Sequence, residues 1–408
     1  MTDHPTLLTR WANVPLVLLG LALGLGFTEV SLRLFVDSNP VFDDYDADRG
    51  VRLLPGAEGW YTKEGKGYVH VNSLGYRDVE HPRAKPSGVF RIAVLGDSFT
   101  EARQVDLEYT FWKLLETKLE TAGALAGRKV EAMSFGIGGY GTGQELITLE
   151  KDVLGFSPDL VLLAYFNGND LENNSRSLSQ RLRGEWLRPF HRLENGQLVL
   201  DASFRDRTSQ IVLHKLVYFL LHHFRTAELV NQARRGLEVR LLQQQHASTP
   251  AAGDLPKDTE WRTDNIGLDD AAFTPPRTPE WQEAWKVTEA LIVEINRLSV
   301  KAGARFVLVV LGDPIQNDLD LQRRELYAQE LGVDDLLYTE RRLTALGERS
   351  GFPVITLQPR MQQRADREAV YLHGFANTVM GTGHWNETGH RFAAEIIARD
   401  LKERGLVR

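Results

Sequence analysis

Three short runs are apolar at nearly every position: Phe90–Leu95 (FRIAVL), Pro158–Tyr165 (PDLVLLAY) and Arg305–Leu311 (RFVLVVL). A strand buried on one face alternates apolar and polar residues. A strand buried on both faces does not, so these runs point to a parallel sheet with helices on either side. Lys129–Phe135 is a weaker run of the same kind, and Pro353–Leu357 is a fifth. Helical patterns fall between them, at Glu108–Thr121, Gln144–Leu154, Leu319–Glu330, Asp334–Glu348 and Thr388–Lys402. The expectation is a three-layer α/β/α domain of about five parallel strands.

Length suits that reading. The chain has 408 residues, enough for two or three domains or one large α/β domain with insertions. Hydrophobic residues are 42% and charged residues 25%, which excludes wholesale disorder and a polytopic membrane protein. Lys and Arg total 48 against 55 Asp and Glu, a net charge of -7. No nucleic-acid partner is expected, because an overall basic field is absent. There is no cysteine, hence no disulfide, thiolate metal site or cysteine nucleophile. No metal or other cofactor is expected.

Val14–Phe27 is entirely apolar or glycine. As a helix it spans roughly 21 Å, short of the ~30 Å hydrocarbon core. Continuing to Phe35 gives roughly 33 Å, with Glu29 and Arg33 near one end, where an arginine can snorkel. A single membrane anchor is the favoured reading. A cleaved signal peptide and a buried core helix are the alternatives. Arg10 precedes the span and Arg33, Arg49 and Arg52 follow it, so basic residues do not set its direction. The short leader favours an exported body.

The organisation expected is a leader at 1–13, a transmembrane helix at 14–35, a linker with a small β-rich lead-in at 36–89, and the main domain at 90–405. Asp43, Asp44 and Asp46 belong to an acidic linker without EF-hand spacing. Residues 176–278 interrupt the strand–helix alternation as an insertion. Ser209–Gln245 reads as one or two helices, too short and interrupted to span a membrane, followed by a polar, proline-bearing loop. Thr278-Pro279 starts the next helix. Trp281 and Trp285 read as core. His222 and His223 lack metal-ligand spacing.

Four blocks carry chemistry. Gly96-Asp97-Ser98-Phe99-Thr100 follows the first strand, where open α/β sheets place their ligands. Gly136-Ile137-Gly138-Gly139-Tyr140-Gly141 follows the second and permits close backbone approach. Asn167-Gly168-Asn169-Asp170 follows the third; Asn169 could donate its amide to an oxyanion. Gly383-His384-Trp385-Asn386-Glu387-Thr388-Gly389-His390 precedes the last helix. A serine hydroxyl is a weak nucleophile until a base such as His384 takes its proton.

In this order and at these strand ends, the blocks resemble those of the SGNH/GDSL hydrolase superfamily, a flavodoxin-like α/β fold. The resemblance covers roughly Arg91 to Arg399 without the insertion. It implies Ser98 as nucleophile, His384 as general base and then acid, and an oxyanion hole from the Ser98 and Gly139 N–H groups with the Asn169 side chain. Loss of one such donor would cost about 3–4 kcal/mol in the transition state. The NSLGYRD segment and the apolar N-terminus resemble membrane-anchored members found alongside cell-surface polysaccharide genes. The implied activity is hydrolysis of a small acyl ester, such as O-acetyl on a carbohydrate. The alternatives are an O-acetyltransferase working with a polysaccharide-biosynthesis membrane partner, and a non-catalytic carbohydrate-binding or assembly protein. The His-Trp pair is also similar to the alginate O-acetyltransferase branch, but there its block precedes the serine.

One position departs from the pattern. The family places an aspartate two or three residues before the histidine; here stand Thr382 and Gly381. Either the Thr382 hydroxyl or a backbone carbonyl orients His384, or an acid from elsewhere such as Asp313 does, or Glu387 and His390 form the working pair. The first is favoured. A site that has lost activity and only binds is the remaining reading.

Overall fold

The computed structural model describes residues 14–36, 40–125, 127–234, 237 and 270–407. They divide into two compact units. One holds residues up to 41 and 212–255; the other holds 42–211 and 256–408.

In the larger unit two antiparallel hairpins come first: β1 (Asp43–Asp46) with β2 (Gly50–Leu53), and β3 (Glu58–Tyr61) with β4 (Gly67–His70). The main sheet follows, built from β5 (Val89–Gly96), β6 (Lys129–Gly136) and β7 (Leu160–Tyr165). Next comes a third hairpin, β8 (Phe190–Glu194) with β9 (Gln197–Asp201). The last two sheet strands are β10 (Arg305–Val310) and β11 (Val354–Thr356). The sheet is five-stranded and wholly parallel, in the order β11-β10-β7-β5-β6. All five expected strands are present. β6, read as weak, pairs with β5 over eight residues.

Burial explains the near-continuous apolar runs. Ile92 and Val94 of β5, Leu160 and Leu162 of β7, and Val307 and Val309 of β10 face one core. The alternate residues Ala93, Leu95, Val161, Leu163, Phe306 and Leu308 face the other. Helices Phe111–Thr121 and Glu387–Glu403 cover the first side through Trp112, Leu115 and Phe392. Helices Pro279–Lys301 and Tyr338–Ser350 cover the second through Trp285, Ile292 and Leu343. Truncating a fully buried leucine such as Leu162 to alanine would cost about 2–5 kcal/mol. Trp285 is core, as expected, and Trp281 packs partly buried beside it.

Most helix limits fall within a few residues of expectation. The helix expected from Glu108 breaks at Thr110, which is extended and whose hydroxyl accepts from the Lys113 N–H. Asp43, Asp44 and Asp46, expected in an acidic linker, lie in β1; Asp46 pairs with Arg49 and Asp44 with Arg52. The hairpin β8–β9 was missed. Its signal was Asn195-Gly196, both at positive φ (51° and 78°), the two-residue turn that matches strand twist. Much of the polar stretch after Gln243 lies outside the described residues.

The smaller unit contains helix Val14–Phe35, of 22 residues with none buried. By length and composition it is long and apolar enough to cross a membrane.

Candidate active site

The strand order reverses direction of winding between β5 and β7, and a crevice at such a point opens beyond the carboxyl ends of the strands. Ser98 lies there, directly after β5. Asp97 caps the short helix Ser98–Glu101 by accepting from the Phe99 N–H at 2.9 Å. This helix sits hard against the sheet. A Cβ placed on Gly96 would stand 2.2 Å from Thr100 Oγ1, so the strand must end in glycine for the serine turn to fit.

The lead-in secures the other end of that helix. Buried Arg77, from the NSLGYRD segment, donates to the carbonyls of Glu101, Ala102, Val105 and Tyr68. Asp78 beside it accepts from the Ser134 N–H of β6 at 2.9 Å. The segment therefore braces the serine turn and the sheet together.

His384 lies on the loop before the last helix. Its ring packs 5.0 Å from Phe99, and the neighbouring Trp385, fully buried, packs 5.0 Å from the same phenyl ring. The backbone is stitched to the preceding segment: the Gly374 N–H donates to the His384 carbonyl at 3.1 Å, and His373 Nδ1 meets the Gly383 carbonyl at 2.8 Å. His384 Nε2 is 2.8 Å from Ser98 Oγ, so the hydroxyl can donate directly to the ring.

The acid beside the His384 ring is Glu64. Its Oε2 is 2.6 Å from His384 Nδ1, and its Oε1 accepts from the His384 backbone N–H at 2.6 Å. Both carboxylate oxygens thus hold one residue, which fixes the ring and selects the tautomer with a proton on Nδ1. Glu64 sits in the turn joining β3 to β4. Asn377 ties that turn down: the Gly65 N–H donates to Asn377 Oδ1 at 2.9 Å, and Asn377 Nδ2 donates to the carbonyls of Thr62 and Gly65, each at 3.0 Å.

None of the expected substitutes for the absent aspartate fills this place. The Thr382 hydroxyl donates to the Val379 carbonyl at 2.9 Å, because the turn containing it closes on itself. Asp313 is buried beyond β10 as a helix cap, accepting from the Ile315 N–H at 3.1 Å, and burial raises its carboxyl to about 6. Glu387 is exposed in the first turn of the last helix. His390 is buried, and its Nδ1 accepts from the Phe111 N–H at 3.2 Å; burial pushes it down to about 3, which keeps it neutral. It caps and packs the start of helix Phe111–Thr121.

Charge sharpens the pair. Burial alone would lower the His384 imidazole; the hydrogen bond and charge of Glu64, with Asp97 and Glu101 beyond, outweigh it and raise the ring above 6.5. Burial alone would raise Glu64; its bonds from His384 outweigh that and hold it below the usual carboxylate value.

On the far side of Ser98 are the other two blocks. Gly139 adopts φ +78° and faces open space, with nothing within 4 Å of an added Cβ. Its turn is clamped: the Gly138 N–H donates to Glu101 Oε2 at 2.6 Å, and the Gly139 carbonyl accepts from Arg188 at 2.5 Å and Asn173 at 3.2 Å. Asn169 Nδ2 donates to Asp97 Oδ2 at 2.8 Å, which aims one amide hydrogen and leaves the second for another acceptor. Behind them Asp97, Asp170 and Glu145 are buried together, and burial raises all three carboxyls.

No protein-family model matches this chain, and no curated protein matches it. Solved structures similar to it include an acetyl xylan esterase, at 14% identity and a TM-score of 0.39, covering 76% of this chain and 100% of that one. A catalytic mutant of an acetylxylan esterase from Geobacillus stearothermophilus is similar at 11% identity and 0.37, covering 76% and 94%. A GDSL-like lipase from Bacteroides thetaiotaomicron is similar at 10% identity and 0.31, covering 77% and 88%.

Proposed function

We propose that this chain is a membrane-anchored serine esterase of the SGNH/GDSL type, cleaving a small acyl ester of carbohydrate outside the membrane that holds it. The observation that carries the reading is the continuous relay Ser98 Oγ–His384 Nε2 at 2.8 Å and His384 Nδ1–Glu64 at 2.6 Å. Nucleophile, base and orienter stand within hydrogen-bond reach in series, which is the geometry acyl transfer needs.

In this reading Ser98 Oγ attacks the ester carbonyl carbon while its proton passes to His384 Nε2. The carbonyl oxygen becomes an oxyanion, met by the N–H groups of Ser98 and Gly139 and the second amide hydrogen of Asn169. The bond to the leaving alkoxide breaks, and His384 returns the proton to that oxygen. Water then attacks the acyl-serine, giving its proton to His384, and Ser98 leaves with that proton. Glu64 stays ionised throughout and stabilises the imidazolium. The binding-only alternative drew its support from a missing acid, and Glu64 removes that ground.

The test is labelling of the full chain by a fluorophosphonate and release of nitrophenol from p-nitrophenyl acetate. Ser98→Ala should abolish labelling, and His384→Ala and Glu64→Gln should slow both reactions. A folded parent protein that neither labels nor turns over refutes the esterase reading. Acetyl release from an acetylated oligosaccharide then tests the substrate class.

A further inference from the structure

The smaller unit carries a second apolar surface. No residue of helix Thr208–His223 is buried. Val212, Leu213, Leu216, Val217, Phe219 and Leu220 are all exposed, Leu213 by 61%. At 3.6 residues per turn they share an arc of about 160°, into which only Ser209 and His223, at the two ends of the helix, bring a polar side chain. The other side holds His214, Lys215, Tyr218 and His222, together with Ile211 and Leu221, with the Tyr218 ring 4.5 Å from His214 and stacked 5.8 Å from His222. A contiguous apolar face of this kind marks an interaction surface.

Its neighbour in the same unit identifies the occupant. Glu29 of helix Val14–Phe35 accepts from the backbone N–H groups of Arg225 and Thr226, at 2.9 and 3.0 Å, and from the Thr226 hydroxyl at 2.5 Å. Arg33, one turn on, donates to the His223 carbonyl at 2.7 Å. If Val14–Phe35 crosses the hydrocarbon, charged Glu29 and Arg33 lie in its last two turns, toward the polar boundary. The His223–Thr226 turn bonded to them stands there too. The exposed arc thus begins at headgroup depth. Ile211–Phe224 is fourteen residues, roughly 21 Å as a helix, and cannot cross a ~30 Å core.

We propose that helix Thr208–His223 lies in the membrane interface, with its apolar arc against the acyl chains and its Lys215 side toward the headgroups. The bilayer then grips the chain at two places, one spanning and one lying flat. This inference rests on reading Val14–Phe35 as a membrane span.

The natural chain has no cysteine, so single cysteines report cleanly. Leu213→Cys, Leu216→Cys, Lys215→Cys and, in the span, Leu21→Cys would each carry an environment-sensitive fluorophore on the full chain. The chain would sit in phosphatidylcholine–phosphatidylglycerol vesicles, with far-UV circular dichroism checking that each variant folds. The expected result is a blue-shifted emission at 213 and 216, quenched by a lipid-borne nitroxide and spared by aqueous iodide, with the reverse at 215. Iodide quenching at 213 and 216 equal to that at 215 overturns the proposal. Protection of 213 and 216 from both quenchers overturns it as well, in favour of a protein covering the face. Leu21→Cys separates the two readings: unquenched by lipid nitroxide, it removes the span and this inference with it; quenched while 213 and 216 are not, it removes this inference alone.

Discussion

Glu64 Oε2 stands 2.6 Å from His384 Nδ1, although 320 positions of chain separate the two residues. The same carboxylate also takes the His384 backbone N–H, so ring orientation and loop position are set by one side chain. Removing its charge should therefore alter both the rate and its pH dependence.

The sign follows from the raised imidazole. A general base works neutral, so kcat/KM should rise with pH, with the midpoint of its acidic limb above 6.5. Glu64→Gln removes the largest upward influence on the ring, so the limb should move to lower pH. The plateau should fall on the order of 10⁴-fold, the scale seen when a histidine loses its orienting acid. A pH–rate profile of both proteins decides this; an unmoved limb would exclude Glu64 as the orienter.

Asn377 touches neither Ser98 nor His384, but it holds both sides of the turn that carries Glu64. Asn377→Ala should lower kcat with little change in KM, and by less than Glu64→Gln. It should also shift the acidic limb in the same direction. A loss of thermal stability with an unaltered profile would show a role in folding only.

Asn169 is held by Asp97 with one amide hydrogen to spare. Asn169→Ala should reduce kcat by about 10²–10³-fold, or about 3–4 kcal/mol. Fluorophosphonate labelling of Ser98 should slow by a similar factor, since that reaction also develops negative charge on oxygen. A variant with normal labelling would remove Asn169 from the oxyanion site.

Glu145 is fully buried, and neither carboxylate oxygen has a hydrogen-bond partner among the described residues. Burial first, then the charges of Asp170 and Asp97, raise its carboxyl well above 4.5. The folded chain then binds a proton that the unfolded chain releases. Stability is full below the unfolded value and declines as pH rises toward the folded one. Glu145→Gln, a near-isostere of the neutral acid, should flatten part of that decline. Asp170, shifted the same way, keeps the rest. Denaturant midpoints between pH 5 and 9 would show it; parallel curves would mean that Glu145 is ionised in the fold.

The sheet was legible because its strands announce themselves locally. Ile92, Val94, Leu162 and Val309 are apolar beside neighbours that are also apolar, and only two-sided burial requires that. Ser98, Gly139, Asn169 and His384 were legible because each follows a strand or precedes a helix in a short, unusual string. Glu64 was not. The segment Lys63-Glu64-Gly65-Lys66 reads as any charged hairpin turn, and nothing local distinguishes an acid that serves a distant histidine from one that serves solvent. The family pattern places the acid beside the histidine in sequence, whereas Glu64 reaches His384 from a hairpin 320 positions away.

The proposed relay draws on residues as much as 320 positions apart. During synthesis Glu64 and Ser98 emerge long before His384. In the proposed reading the serine therefore has no base until helix Glu387–Glu403 docks and brings His384 against the hairpin. A fragment made without residue 384 would carry the nucleophile and nothing to take its proton.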